Sequence, residues 1–223
     1  MTNTSVSSTA RVLGAGLRAL LALTLVCGVI YPLAVTGVAR TLFRDRADGS
    51  ETKDASGQVV GSSLIGQRYD LPPEKGEESP APDLRWFQPR PSHGLGTNSV
   101  NTRYALILSG ATNRSGDNEE LIGWVRDAKA AVVKDNSTAT YEVRPSAVPP
   151  DAVTSSGSGL DPHISPAYAA LQVHRVAERN GLGVRQVERL VEDHTTGRLL
   201  GFMGEPRVNV LELNTALRDV IRG

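Results

Sequence analysis

The strongest constraint on the fold of this chain is an uncharged apolar run, Ala19–Ala39. A helix rises about 1.5 Å per residue, so a run of this length spans roughly 30 Å, the thickness of the hydrocarbon core of a bilayer. The apolar character extends back to Val12 past Arg18, whose long side chain can reach the membrane interface. We therefore predict one transmembrane helix at residues 12–39, after a short tail at residues 1–11.

Two other interpretations of the apolar run remain open. A signal peptide has a shorter apolar core, of about 7–15 residues, but the sequence Gly37-Val38-Ala39 is compatible with cleavage. Cleavage there would leave a secreted binding protein without a membrane anchor. A buried helix of a soluble protein fits less well, because the run has no polar face.

Charge does not orient the helix in the membrane. Arg11 and Arg18 precede the run, whereas Arg40, Arg44 and Arg46 follow it. Lys and Arg side chains near the ends of a span favour the cytoplasmic side. The α-amino group adds one positive charge to the N-terminal side, so the two ends are balanced.

The remainder of the chain is predicted to form a membrane-proximal linker at residues 40–60 and one soluble domain at residues 61–223. The domain is long enough for a hydrophobic core of its own. Helical and alternating apolar patterns both occur in it, which indicates a mixed α/β (α+β) class. The predicted elements are a strand at Tyr104–Leu108, a helix at Asn118–Asp135, a helix from Ser165-Pro166 to Asn180-Gly181, a helix around Val184–Val191, a strand at Arg207–Leu213 and a last helix capped by Asn214.

Composition and motifs argue against several functions. The chain has 24 basic and 24 acidic side chains, and this zero formal net charge argues against nucleic-acid binding. Its single cysteine, Cys27, lies in the apolar run, so the soluble part has no disulfide and no cysteine metal site. The Walker A, HExxH and GxSxG patterns are missing from the sequence. We therefore predict neither a catalytic site nor a metal site.

The histidines leave one catalytic alternative open. The chain has four of them, His93, His163, His174 and His194. No two have i,i+4 spacing on one helix, so a zinc site would need histidines from separate elements. Asp161 and His163 flank Pro162 in one loop, and a loop serine could complete the triad of a membrane-tethered hydrolase.

Three stretches are dense in Gly, Ser and Asn: Gln88–Ser99, Ser109–Asn118 and Val153–Pro166. These residues allow positive φ and close backbone approach, and they are also typical of flexible linkers. Each stretch directly precedes a strand or helix with strong packing signals. We therefore expect ordered loops that form a binding surface on a rigid scaffold.

The same stretches and their neighbours resemble a known family. The resemblance runs from the N-terminal helix through GSSLIGQRY, RWFQPRPS, SGATNRSGDN, VTSSGSGLDPHISPAYAALQVHRVAERNGL and GEPRVNVLELNTAL. On these segments, the chain resembles the C subunit of the bacterial Kdp high-affinity potassium-transporting ATPase, the KdpC family. The most specific part is Val153–Arg179, with its Ser-Gly-Ser-Gly-Leu-Asp-Pro core.

The resemblance implies a place in the cell and a set of partners. Members of this family have one transmembrane helix in the plasma membrane, a cytoplasmic N-terminus and an extracytoplasmic soluble domain. They assemble with a channel-like potassium-binding subunit, a P-type ATPase subunit and a small hydrophobic subunit. The implied role is that of a non-catalytic accessory subunit, which supports assembly and raises the ATP affinity of the ATP-hydrolysing subunit.

The resemblance also assigns one residue and two interfaces. Gln172 matches the glutamine invoked for the nucleotide-related role, although a domain outside the cell could affect ATP only through the complex. A helix residue that bonds to the preceding loop is the alternative interpretation of Gln172. Small residues suit close helix contact, so we expect the membrane interface at Gly28, Pro32 and Gly37. The expected docking residues of the soluble domain are Ser156, Gly157, Ser158, Gly159, Leu160, Asp161 and Pro162.

Overall fold

The computed structural model describes residues 3–73, 80–92, 109–110 and 112–223. These residues fall into two compact units, Met1–Ser50 and Glu51–Gly223. Two features singled out from the sequence, the predicted strand Tyr104–Leu108 and His93, lie outside the described residues.

The first unit is helical. Helix α1 (Asn3–Leu25) continues through a π-helical turn (Val26–Ile30) into α2 (Tyr31–Leu42), and the short α3 (Arg44–Ala47) follows. The segment Ser8–Leu42 is strongly apolar and has no buried residue. By length and composition, this N-terminal helix is apolar enough to span a membrane.

The π-helical turn ends at Ile30, two residues before Pro32. The N–H of Tyr31 bonds to the carbonyl of Val26, five residues back instead of four. A proline ring clashes with the carbonyl four residues earlier, here that of Gly28, and the wider turn relieves this clash. The helix therefore accommodates Pro32 without ending.

Residues 40–60, predicted as a linker, contain regular elements in the structure. They include the end of α2, helix α3, strand β1 (Glu51–Lys53) and the start of strand β2 (Val59–Ser62). The two strands form an antiparallel hairpin. The carboxylate of Asp54 organises its turn by accepting hydrogen bonds from the N–H and the hydroxyl of Ser56, at 3.0 and 2.6 Å.

The second unit combines helices with short strands, so the predicted mixed class is confirmed. Its helices are α4 (Glu119–Asn136), α5 (Pro166–Asn180), α6 (Val184–Asp193) and α7 (Val210–Arg222). Strands β3 (His163–Ile164), β4 (Thr195–Thr196) and β5 (Arg207–Asn209) form an antiparallel sheet in the order β3-β5-β4.

Helices α4 and α5 begin where the sequence predicts. The side chain of Asn118 accepts the N–H of Leu121 at 3.0 Å, and the hydroxyl of Ser165 accepts the N–H of Tyr168 at 3.0 Å. Helix α5 ends at Gly181, whose φ of 65° is a conformation that glycine adopts at low cost. These signals are local in sequence, which is why they predict the helix boundaries correctly.

The boundary between β5 and α7 differs from the prediction. The strand ends at Asn209 and α7 follows directly, so the prediction of a strand to Leu213 and a cap at Asn214 is wrong. The side chain of Asn209 accepts the N–H groups of Leu211 and Glu212, at 3.1 and 3.3 Å, and is itself the helix cap. A run of β-branched and apolar residues fits a buried helix face as well as a strand, and the cap decides between them.

Helix α5 lies at the centre of the core and packs against α4, α6 and β5. It also buries two polar side chains, Gln172 and Arg175. Its buried apolar residues include Ala169, Leu171, Val173, Val176 and Ala177.

Candidate functional site

The three stretches rich in Gly, Ser and Asn meet in the structure, as far as they are described. The hydroxyl of Ser92, in the first stretch, donates to the carbonyl of Gly159 in the third. In the second stretch, the N–H of Gly110 and the hydroxyl of Ser109 donate to the carbonyl of Ser158, at 2.8 and 3.1 Å. The third stretch is therefore held in place by the other two.

Arg90 connects both ends of the Gly/Ser-rich part of the third stretch. Its guanidinium donates to the carbonyl of Ser155 and to the carboxylate of Asp161, each at 3.3 Å. Sequence reasoning assigned Arg90 no role. Its position between Pro89 and Pro91, which restrict the backbone, is the signal that could have identified it.

Asp161 and His163 are in contact, as their positions in one loop predict. The backbone N–H and the ring Nδ1 of His163 each lie 3.0 Å from Oδ1 of Asp161. The hydrogen bond from His163 lowers the pKa of Asp161 below its usual 3.8, although burial opposes the shift, and the charge of Arg90 adds to the lowering. Asp161 is therefore ionised at neutral pH and acts as a hydrogen-bond acceptor within the loop.

The serines of the loop are hydrogen bonded within it. The hydroxyls of Ser156 and Ser158 are 3.3 Å apart. Ser158 accepts the N–H of Leu160 at 3.1 Å, and Ser156 accepts the N–H of Asp161 at 3.4 Å. These contacts give both serines a structural role in the loop.

Two other histidines also have structural partners. The ring of His174 stacks on Tyr141, with centroids 3.9 Å apart and planes inclined by 5°. Nδ1 of His194 lies 2.8 Å from the carbonyl of Leu190. Within the described part of the chain, no group of three or more His, Cys, Asp or Glu side chains is placed to hold a metal ion.

The end of the loop is bonded to the core of the second unit. The carbonyl of Leu160 accepts the N–H of Gly66 at 2.8 Å, and the carbonyl of Pro162 accepts the N–H of Val210 at 3.0 Å. Among the predicted docking residues, Gly159 and Pro162 are buried, and Ser156, Leu160 and Asp161 are half-buried.

Of the residues predicted to dock a partner, Gly157 and Ser158 are the exposed ones in the second unit. The predicted packing residues of the apolar helix lie around the π-helical turn. Gly28 is inside the turn, and Pro32 and Gly37 are in α2. All three residues are exposed.

Gln172 is fully buried and bonded to the backbone of Gln88, in a second irregular segment at residues 84–88. Its Oε1 accepts the N–H of Gln88 at 2.7 Å, and its Nε2 donates to the carbonyl of Gln88 at 3.1 Å. Oε1 also accepts from Nη2 of Arg175 at 2.6 Å. In this geometry Gln172 is a helix residue that holds the preceding loop, which is the second of the two interpretations of its role.

Arg175 bonds to the same segment, residues 84–88, at other positions. Its Nη1 donates to the carbonyls of Leu84 and of Trp86, the latter at 2.9 Å, and its Nε donates to the side chain of Asn136 at 2.8 Å. Burial lowers the pKa of Arg175 to about 10, so the guanidinium stays charged at neutral pH. Sequence reasoning missed Arg175, although a charged residue one turn after Gln172 on an apolar helix face is an informative signal.

Helix α7 contributes a third side chain that bonds to the segment 84–88. The side-chain amide of Asn214 accepts the N–H of Phe87 and donates to its carbonyl, both at 2.9 Å. Phe87 is completely buried. Backbone groups at residues 84–88 are thus satisfied by side chains from two helices.

Comparison with known proteins assigns the chain to a family. A family model described as the c chain of the K+-transporting ATPase matches residues 13–219. The KdpC subunit of the potassium-transporting ATPase of Streptomyces avermitilis is 71% identical over 219 residues, which cover 98% of each chain. The chain belongs to the KdpC family. The resemblance inferred from the motifs is therefore confirmed.

Other KdpC subunits match over most of their length. That of Streptomyces coelicolor is 67% identical over 219 residues, or 98% of this chain and 97% of its own. That of Kineococcus radiotolerans is 46% identical over 204 residues, or 92% and 91%. The matched part of this KdpC-family chain includes both the apolar helix and the Gly/Ser-rich loops.

Replacement of Gly159 by Ala tests whether the Gly/Ser-rich loop at residues 156–162 is ordered. Gly159 has a φ of 69°, and a Cβ atom there would lie 3.0 Å from the carbonyl oxygen of Gly110. We expect Gly159→Ala to lower the free energy of unfolding by about 1–2 kcal/mol through the backbone conformation alone. The measurement is urea unfolding of the full chain in detergent, followed by tryptophan fluorescence.

Gly157→Ala is the matched control two residues earlier. Among the described residues, no heavy atom beyond its chain neighbours lies within 4 Å of a Cβ atom at Gly157. We expect this variant to change the free energy of unfolding by less than about 0.5 kcal/mol. Equal effects of the two substitutions would contradict an ordered conformation at Gly159.

Replacement of Gln172 by Ala tests the structural role of this side chain. The N–H and carbonyl of Gln88 and one N–H of Arg175 would lose their partner, and each unsatisfied buried group costs about 1–3 kcal/mol. We expect a loss of about 2–4 kcal/mol in the free energy of unfolding, since relaxation and water recover part of the total. Gln186→Ala, at an exposed position of α6, should have almost no effect, and a similar result for Gln172→Ala would refute the structural role.

Proposed function

We propose that this chain is a non-catalytic accessory subunit of an ATP-driven, high-affinity potassium import complex. The observation that supports this most is the KdpC family match over residues 13–219. The proposed partners are a channel-like potassium-binding subunit, a P-type ATPase subunit and a small hydrophobic subunit, together with membrane lipid. The apolar helix packs in the membrane part of that assembly, and the soluble domain supports assembly through its loops.

The proposed docking surface of the soluble domain is the loop at residues 156–162. Its buried side is bonded to Gly66 and Val210, and Arg90 and Ser92 hold it from a neighbouring segment. A loop that is already ordered loses little conformational entropy on binding, which favours affinity. The exposed Gly157 and Ser158 are then the first residues to meet a partner.

An effect on ATP affinity is proposed to act through the complex. Both polar atoms of the Gln172 amide are bonded inside the fold, which supports an indirect role for this residue. Coupling of this kind is typically worth about 1–3 kcal/mol between two sites. A membrane-tethered hydrolase based on Asp161 and His163 is less well supported, because Ser156 and Ser158 are bonded within the loop.

Assembly is tested by adding bulk to the exposed part of the loop. We expect Gly157→Trp to reduce recovery of the partner subunits with the tagged full-length chain in mild detergent, because the new side chain blocks the surface. Glu188→Trp, at an exposed position of α6, should leave recovery unchanged. Both variants should keep the unfolding midpoint of the unmodified chain.

Two results would count against these assignments. Recovery of the unmodified chain without any large membrane partner would contradict the subunit proposal itself. Equal recovery with Gly157→Trp and Glu188→Trp would remove the loop as the docking surface but leave the subunit proposal intact.

The proposed orientation has a cytoplasmic N-terminus and an outer soluble domain. The test is a Cys27→Ala background with Ser158→Cys, treated in intact cells with a membrane-impermeant maleimide. We expect Ser158→Cys to react without permeabilisation, whereas Ser8→Cys in the same background should react only after it. The reverse pattern would show that the soluble domain lies in the cytoplasm.

A further inference from the structure

The segment between strands β4 and β5 is an apolar hairpin that stands away from the core. Every residue from Thr196 to Glu205 is exposed. Among the described residues, no atom beyond the chain neighbours lies within 4 Å of a Cβ atom added at Gly197, Gly201 or Gly204. A contiguous apolar surface of this kind is typical of an interaction site, unlike single exposed apolar residues. Its large apolar side chains, 50% to 76% exposed, are Leu199, Leu200, Phe202 and Met203.

Backbone hydrogen bonds give this hairpin a defined conformation. Leu199 and Met203 pair across it, and the N–H of each donates to the carbonyl of the other, at 2.8 and 3.0 Å. The turn residues Leu200 and Gly201 both have a positive φ, 54° and 82°. Glycine adopts this conformation at low cost, whereas leucine does not. The turn therefore does not explain why an apolar side chain stands at position 200.

Apolar side chains lie on both faces of the hairpin. Successive side chains of a strand point to opposite faces. Leu199 and Met203 are paired and share one face, so Phe202 points to the other. A flat protein surface covers only one face of a hairpin. A lipid bilayer surrounds a tip that enters it and therefore covers both faces.

Charged residues lie at the base of the apolar tip. Nη2 of Arg198 is 2.8 Å from Oε2 of Glu205, and this ion pair joins the two arms of the hairpin. Arg207 follows at the start of β5 and is exposed. An apolar end with arginines beside it suits the membrane interface, where the charges stay among the headgroups. This pattern favours shallow insertion of the tip, as far as the ion pair.

The chain enters the second unit close to the base of the hairpin. Glu51, the first residue of this unit, pairs with Ser62 in the ladder of β1 and β2. The carbonyl of the next residue, Ser63, accepts Nδ2 of Asn209 at 2.8 Å, and Asn209 ends the strand that leads out of the hairpin. At about 3.3 Å per residue, the stretch from Asn209 back to Phe202 spans at most about 23 Å. The apolar tip is therefore near the point where the chain enters.

The N-terminal helix brings a membrane within reach of this point. The apolar segment ends at Leu42, and residues 43–50 connect it to Glu51. A connection of this length spans at most about 30 Å even when it is fully extended. A bilayer that holds the apolar helix is therefore available to the hairpin without any further partner.

We propose that the hairpin at residues 198–205 inserts its apolar tip into the lipid bilayer that holds the N-terminal helix. The side chains that enter the bilayer are Leu199, Leu200, Phe202 and Met203. The second unit is then attached to the membrane at two places, which limits its rotation relative to the bilayer. This inference goes beyond the proposed subunit function and does not depend on it, because it requires only that the apolar helix lies in the membrane.

A spin label at the tip measures its depth in the bilayer. The full-length chain with Cys27→Ala and Leu200→Cys carries a nitroxide label and is reconstituted without partners in vesicles of phosphatidylethanolamine and phosphatidylglycerol. Oxygen concentrates in the bilayer, whereas a neutral nickel chelate, present on both sides, stays in water. We expect this label to collide more often with oxygen than with the chelate. The order should be reversed for Glu188→Cys, at an exposed position of α6.

Substitutions in the Leu200→Cys background make the measurement specific. Leu199→Asp with Phe202→Asp places a charge on each face of the hairpin, and we expect the label then to collide more often with the chelate. Ile122→Asp, at an exposed apolar position of α4, should leave the preference for oxygen unchanged. Each variant should keep the unfolding midpoint of its parent, because the replaced side chains are exposed.

The complex purified from cells, with the same label and in the same vesicles, separates lipid contact from protein contact. A preference for oxygen in both preparations would support the proposal. Low collision rates with both reagents in the complex would assign the tip to a partner subunit and overturn the proposal, whatever the free chain shows. A preference for the chelate in the free chain would also overturn it. Failure to recover a complex would count against the subunit proposal alone, and the free chain would then decide.

Discussion

The second unit depends on helix side chains that hydrogen bond to the backbone of an irregular segment. They take the place that neighbouring strands have in a sheet. The described segment 80–92 contains no regular strand, although part of it lies against the core. Buried peptide groups must be hydrogen bonded, and here Gln172, Arg175 and Asn214 bond to them. Helices α5 and α7 therefore order an irregular segment in the way that neighbouring strands order a strand.

This arrangement transmits order from the core to the loop surface. The segment bonded by Gln172 continues directly to Arg90 and Ser92, which hold the loop that includes Gly159 and Asp161. An irregular segment that lost its helix contacts would also lose its fixed approach to that loop. The buried polar side chains and the proposed docking loop are therefore connected through one segment of backbone. We expect substitutions of the buried side chains to alter the conformation of the loop.

The sequence predicted those features that depend on neighbours along the chain. The caps at Asn118 and Ser165 and the stop at Gly181 are local hydrogen-bond and φ effects, and they are where the residue types indicate. The boundary at Asn209 failed because apolar alternation and a buried helix face look alike over seven residues or fewer. Contacts such as Gln172 with Gln88 join residues far apart in sequence, so spacing alone could not reveal them.

The π-helical turn before Pro32 divides the apolar helix into two halves. The side chains of the second half are rotated about the helix axis relative to those of the first. Such a turn includes one residue more than an α-helical turn, so it offsets the side chains that follow by about 100°. Residues of α1 and α2 therefore do not share one continuous helical wheel. A straight neighbouring helix that follows one face of α1 meets a different face of α2, so each half of the helix presents its own contact surface to protein or lipid.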